Sequence, residues 1–207
     1  MGLFNLLIQD PLAFVLLAIP LLYSIIIHEL AHGWVANRMG DPTAKWLGRL
    51  TLNPLRHLDP IGTLLLFFFG FGWAKPVPIN LGYIRNQRAG LILVSAAGII
   101  ANILLAFLAA LLYQVLSPFP YGALGTMLHY FIQINILLAS FNLVPIPPLD
   151  GSKILAGFMS KRFQYWMAGV ERYGFIIIVG LLYLHALDPL VGFFRWVIVS
   201  IIRLLLP

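Results

Sequence analysis

Apolar residues in this chain gather into long runs. They neither recur on one face of a helix nor alternate as along a half-buried strand. The runs at 11–27, 90–116, 122–144, 174–187 and 190–206 read as five membrane-crossing helices, since about 20 apolar residues span a hydrocarbon core. The first continues as helix through HELAHGWVANRMG, and the fourth is short, so it is expected to enter from the polar side around Tyr165. A sixth apolar stretch, IGTLLLFFFGFGW at 61–73, is too short to cross. At about 10–14 residues such a stretch reads as re-entrant or interfacial, and its glycines favour a hairpin-like dip. The pattern predicts an all-α polytopic membrane protein with a re-entrant or interfacial segment at 61–73.

Composition strengthens this picture. Of 207 residues, 61% are hydrophobic and 10% charged, and the mean hydropathy is +0.94, whereas soluble domains carry about 25% charged residues. So few charges cannot coat a soluble particle, which excludes an ordinary soluble enzyme. The length suits one domain over 1–207, with no internal repeat or linker. The N-terminus, MGLFNLLIQDP, lacks a basic region and a cleavage site, so the first helix is expected to be retained.

The net charge of +6 would suggest nucleic acid in a soluble chain, but its distribution says otherwise. Twelve of the 13 basic residues fall in the segments 38–56, 75–88 and 153–172 or at Arg203, and only Arg195 is left out. If 61–73 returns to its own side, those twelve share one face, while the connections at 117–121 and 188–189 carry no basic residue. Basic loops mark the cytoplasm. The expectation is a plasma or inner membrane protein with its N-terminus outside and its C-terminus inside, a lipid bilayer as its surroundings, and no nucleic-acid partner.

The strongest chemical signal is His28-Glu29-Leu30-Ala31-His32, an HExxH on a helix. Positions i and i+4 share a helical face, so both imidazoles can hold one Zn²⁺ while Glu29 stands beside the attacking water as general base. The bland alternative is a pair of histidines satisfied by hydrogen bonds. With no cysteine in the chain, a third ligand must come from His57, His129, His185 or one of the five aspartates. Asp150 stands out, because it follows a span that ends in three prolines within four residues and precedes a turn-permitting glycine. His28 lies about 25 Å along a helix from Pro11, towards the cytoplasmic end that the 122–144 span also reaches, so the two can meet. Pairing with Lys153 is the alternative role for Asp150. His57 reads as a hydrogen-bonding or capping residue of the basic loop, and His129 and His185, without a matched carboxylate, as structural.

These motifs resemble the site-2 proteases, the intramembrane zinc metalloproteases of peptidase family M50, in their short prokaryotic form. The resemblance implies one zinc held by His28, His32 and Asp150, with Glu29 as catalytic base. It also implies that Asn142, in NLVPIPPLDG, contacts substrate or the developing oxyanion. Two further stretches, at 40–62 and GWAKPVPIN at 72–80, look like family hallmarks. The second resembles a membrane-associated β segment whose edge could hold an extended substrate by strand addition, so the resemblance implies a re-entrant or β-like membrane-associated segment around 61–83; an interfacial loop anchored by Trp73 and Lys75 is the alternative. Gly98-Ile99-Ile100-Ala101-Asn102 departs from the family's frequent Gly-Pro-x-x-Asn, which should straighten the helix. Asn102 either reaches the active site or joins helices beside Ala96, Ala97 and Gly98. The implied activity is hydrolysis of membrane-spanning protein substrates in regulated intramembrane proteolysis. A metal transporter and a non-catalytic scaffold of the same fold are the alternatives.

Overall fold

The computed structural model describes residues 2–70, 72–116 and 122–206. A short helix α1 (Leu3–Gln9) leads into α2 (Pro11–Arg38), whose start is set by Pro11 and by Asp10, which accepts the Ala13 amide at 2.9 Å. A one-turn helix α3 (Thr43–Trp46) and a 3₁₀ turn (Pro54–Arg56) form the basic loop before α4 (Pro60–Phe69). A second 3₁₀ turn (Leu81–Tyr83) precedes α5 (Gln87–Leu116), and α6 (Ala123–Asn142), α7 (Asp150–Phe158), α8 (Lys161–Glu171), α9 (Gly174–Tyr183) and α10 (Asp188–Leu205) complete the chain.

Three helices, α2, α5 and α6, are long and apolar enough to cross a membrane. They pack against one another around a seam of small and branched residues, with Ile99 and Ala106 of α5 and Ile136 and Ala139 of α6 meeting Ile198 and Ile202 of α10. Large apolar side chains such as Leu93, Ile100, Leu104 and Leu108 point outward, the arrangement of helices solvated by lipid. The α5 helix runs unbroken for 30 residues through Gly98 and Asn102, as expected without a proline there.

The fourth predicted span takes another form. Its apolar part is α9, 10 residues and so about 15 Å long, bent 73° from α8. That pair brings the number of crossings to four if it is counted as one broken span. The fifth, α10, is 18 residues long and carries Asp188, Arg195 and Arg203. Arg195, the one basic residue outside the three basic segments and the C-terminal end, donates to Gln133 Oε1 at 2.9 Å and ties α10 to α6. The 117–121 connection lies outside the described residues.

The 61–73 stretch does turn back on itself. The α4 helix ends at Gly70, whose φ of 80° suits a residue without a Cβ, and the chain then returns so that Leu58 and Ala74 form an antiparallel bridge. The return is tight, since a Cβ on Gly62 would lie 2.2 Å from the Trp73 carbonyl oxygen. The bridge is isolated, and among the described residues the segment forms no longer strand.

Candidate active site

The α2 helix places His28 and His32 one turn apart facing α5, and the α6–α7 connection delivers Asp150 to them from the other side. Asp150 opens α7, where a carboxylate is favoured by the helix dipole. The following Gly151 is required by close packing, because a Cβ there would lie 2.3 Å from the Leu143 carbonyl oxygen at the end of α6. As a result, Asp150 Oδ2 sits 3.1 Å from His28 Nε2 and 3.2 Å from His32 Nε2, and the two Nε2 atoms are 3.0 Å apart. All three side chains are buried.

The surrounding hydrogen bonds decide what these atoms are. His32 Nδ1 lies 2.7 Å from the Val94 carbonyl, which can only accept, so Nδ1 carries a proton and, in the neutral ring, Nε2 keeps a lone pair. His28 Nδ1 lies 2.6 Å from Asn102 Oδ1, and the Asn102 amide nitrogen donates to the Ser24 carbonyl at 3.3 Å and to Asn135 Oδ1 at 2.7 Å. The Ser24 carbonyl fixes the orientation of that amide, so His28 also donates through Nδ1 and turns a lone pair inward. Asn135 completes the network by donating to Ser24 Oγ at 2.7 Å and to the Phe131 carbonyl at 2.8 Å.

Three electron-pair donors therefore converge, and among the described residues Asp150 Oδ2 has no hydrogen-bond partner. Two neutral imidazoles and a carboxylate, each with potential ligand atoms within 4.8 Å of the others, fit a divalent cation of the Zn²⁺ type, with the outer hydrogen bonds holding the imidazole tautomers.

Glu29, on the same helix, does not join the cluster. Its Oε2 accepts the Val77 amide at 2.7 Å, and it faces a cavity of about 770 Å³ that is also lined by His28, His32, Asp150 and Asn142. Asn142, the last residue of α6, donates to the Leu138 carbonyl at 3.0 Å. Lys153 pairs with Glu171 at 3.3 Å and leaves Asp150 to the histidines. His57 is far from a ligand role, with Nε2 donating to the Thr51 carbonyl at 2.8 Å. His129 is exposed. His185 does have a carboxylate partner, Asp188 at 2.8 Å, in an exposed turn, which corrects the expectation that it lacked one.

Ser24, Val94, Gly98 and Asn135 belong to this site without lying in its HExxH or NLVPIPPLDG motifs. Asn135, a polar residue within an apolar helix, was the available signal. Gly98 matters by what it lacks, because a Cβ there would lie 2.5 Å from His32 Nε2 and 2.6 Å from His28 Cε1.

Kinship agrees with the geometry. The profile of "Peptidase family M50" matches residues 119–184. Three curated relatives bear the name "Putative zinc metalloprotease". YwhC of Bacillus subtilis is 41% identical over 188 residues, 87% of this chain and 84% of its own length. MJ0611 of Methanocaldococcus jannaschii is 32% identical over 174 residues, 80% of this chain and 81% of its own. Rip2 of Mycolicibacterium smegmatis is 30% identical over 183 residues, 84% of this chain and 69% of its own. No solved structure gives a significant match. The chain belongs to peptidase family M50, the site-2 protease family. By that membership it is a zinc metalloendopeptidase, and its apolar helices make it a membrane protein.

Proposed function

We propose that the protein is an intramembrane endopeptidase that cuts membrane-spanning segments of other proteins, as in regulated intramembrane proteolysis, with one zinc per chain held by His28, His32 and Asp150. The observation that carries this reading is the convergence of those three lone-pair atoms beside Glu29, in one cavity and on helices of membrane-spanning length. Zinc, when bound, supplies the Lewis acidity that makes water a nucleophile near neutral pH and polarises the scissile carbonyl.

The remaining work falls to side chains. Glu29 takes a proton from the water as its oxygen adds to the carbonyl carbon, then returns it to the amide nitrogen as the carbon–nitrogen bond breaks. In this reading the second N–H of the Asn142 amide, a residue lining the same cavity, donates to the oxyanion. A helical substrate hides its carbonyls in internal hydrogen bonds, so cleavage requires local unwinding, and helix-breaking residues are expected near the cut. Basic loops on the side of the α2 and α6 C-termini support an active site towards the cytoplasm.

Glu29→Gln separates this reading from transport and scaffold roles. In purified detergent-solubilised protein, zinc content and thermal stability should match wild type while cleavage of a single-span substrate falls by about 10²-fold or more. Cleavage within a few-fold of wild type, at full zinc, would refute the assignment of the base.

A further inference from the structure

Outside the metal cluster, the buried polar side chains Asp41, Arg49 and His57 belong to no chemistry described so far. The side chains of Asp41 and Arg49 and the backbone of His57 all meet one short segment, residues 74–80. The Lys75 amide donates to the His57 carbonyl at 2.8 Å, and Arg49 Nη2 donates to the Lys75 carbonyl at 2.7 Å. His57 is itself held by the Thr51 carbonyl. At the other end, the Asn80 amide donates to Asp41 Oδ2 at 2.6 Å, while Asp41 Oδ1 is engaged by Thr43. Between these anchors Val77 is 6% exposed and packs where Gly33 leaves a notch in α2: a Cβ on Gly33 would lie 2.9 Å from Val77 Cγ1. Gly33 directly follows His32, so the notch adjoins the HExxH.

The sequence of the segment makes it stiff. Lys75-Pro76-Val77-Pro78 has two fixed φ angles, and each proline pushes the residue before it into the extended region. The prolines also remove two amides, so the Val77 N–H is the single donor between Lys75 and Ile79. That donor meets Glu29 Oε2, and among the described residues no other donor reaches either oxygen of Glu29.

We propose that residues 74–80 form a rigid strap whose Val77 amide positions Glu29, occupying one carboxylate oxygen and leaving the other to exchange protons with water in the cavity. Val77 is thus a positioning residue, and Asp41, Arg49 and His57 act through the strap. A glutamate side chain has three rotatable bonds, and a base displaced by about 1 Å loses up to about 10²-fold in rate. This inference rests on Glu29 being the base, as proposed above.

Two readouts test it on the full-length protein, one of which needs no substrate. In hydrogen exchange, few amides share the segment with Val77, so its signal is readily resolved. Glu29→Ala should speed exchange of the Val77 amide by about tenfold or more, whereas Glu29→Gln, which keeps an acceptor oxygen, should preserve protection. In kinetics, Pro76→Ala/Pro78→Ala loosens the strap without touching the metal cluster. Its kcat should fall by about tenfold with KM and zinc content within twofold of wild type. Asp41→Asn should move the same quantities in the same direction, and wild-type stability in either variant excludes simple misfolding. Val77 exchange indifferent to Glu29→Ala, or a folded strap variant with wild-type kcat, would overturn the proposal. Retained cleavage by Glu29→Gln would instead refute the base assignment, a result distinct from either.

Discussion

Each imidazole of the cluster owes its inward lone pair to an oxygen behind it, Asn102 Oδ1 for His28 and the Val94 carbonyl for His32. Such outer partners typically contribute about 10–100-fold in metal affinity. A graded series follows. Asp150→Ala removes a ligand and should lose zinc almost completely, Asn102→Leu should weaken zinc binding by about 10–100-fold, and His57→Ala should leave it unchanged. Zinc per folded chain against a competing chelator measures all three, and loss in His57→Ala with retention in Asp150→Ala would reverse the ligand assignment. His28, Glu29 and His32 were legible because a helix turn brings them together within five residues. Asp150 was legible from its proline-rich approach and glycine. Their supports were not, because His32 meets Val94 62 positions away and Asn135 meets Ser24 111 positions away, distances that only helix packing closes.

Among elements, α5 behaves as the wall of the site. Its residues Val94, Gly98 and Asn102 lie at four-residue spacing on one face, and that face supplies an acceptor, a bare backbone and an amide to α2. Gly98→Ala should therefore push the imidazoles off the α5 backbone. Overpacking of this kind costs about 1–3 kcal/mol, and zinc binding should suffer more than folding does, read by zinc content against thermal midpoint. Wild-type zinc affinity in Gly98→Ala would contradict the close packing. Hydropathy located α2, α5 and α6 because each is long and strongly apolar on average. The bend between α8 and α9 escaped it, since a 73° turn at residues 172–173 leaves no mark in apolarity. The expected β-like segment reduced to one bridge for a reason visible in its residues: Pro76 and Pro78 have no N–H to offer a ladder.

For the molecule as a whole, charge asymmetry supports the proposed orientation, with the basic loops in the cytoplasm. In this chain without native cysteine, a cysteine at Arg56 should be labelled by an impermeant thiol reagent only after the cytoplasmic face is opened, and one at Ala186, in the exposed turn before α10, from outside. The reverse pattern would invert the topology. In the proposed function, a zinc endopeptidase site at the cytoplasmic ends of α2 and α6 cuts within the membrane. Its most direct test is reconstitution of the purified protein with a single-span substrate in liposomes, followed by mapping of the new termini by mass spectrometry. Cut sites should fall inside the hydrophobic segment, towards its cytoplasmic end and near helix-breaking residues, and Glu29→Gln should give none. Cuts confined to soluble regions, or unchanged in Glu29→Gln, would contradict it.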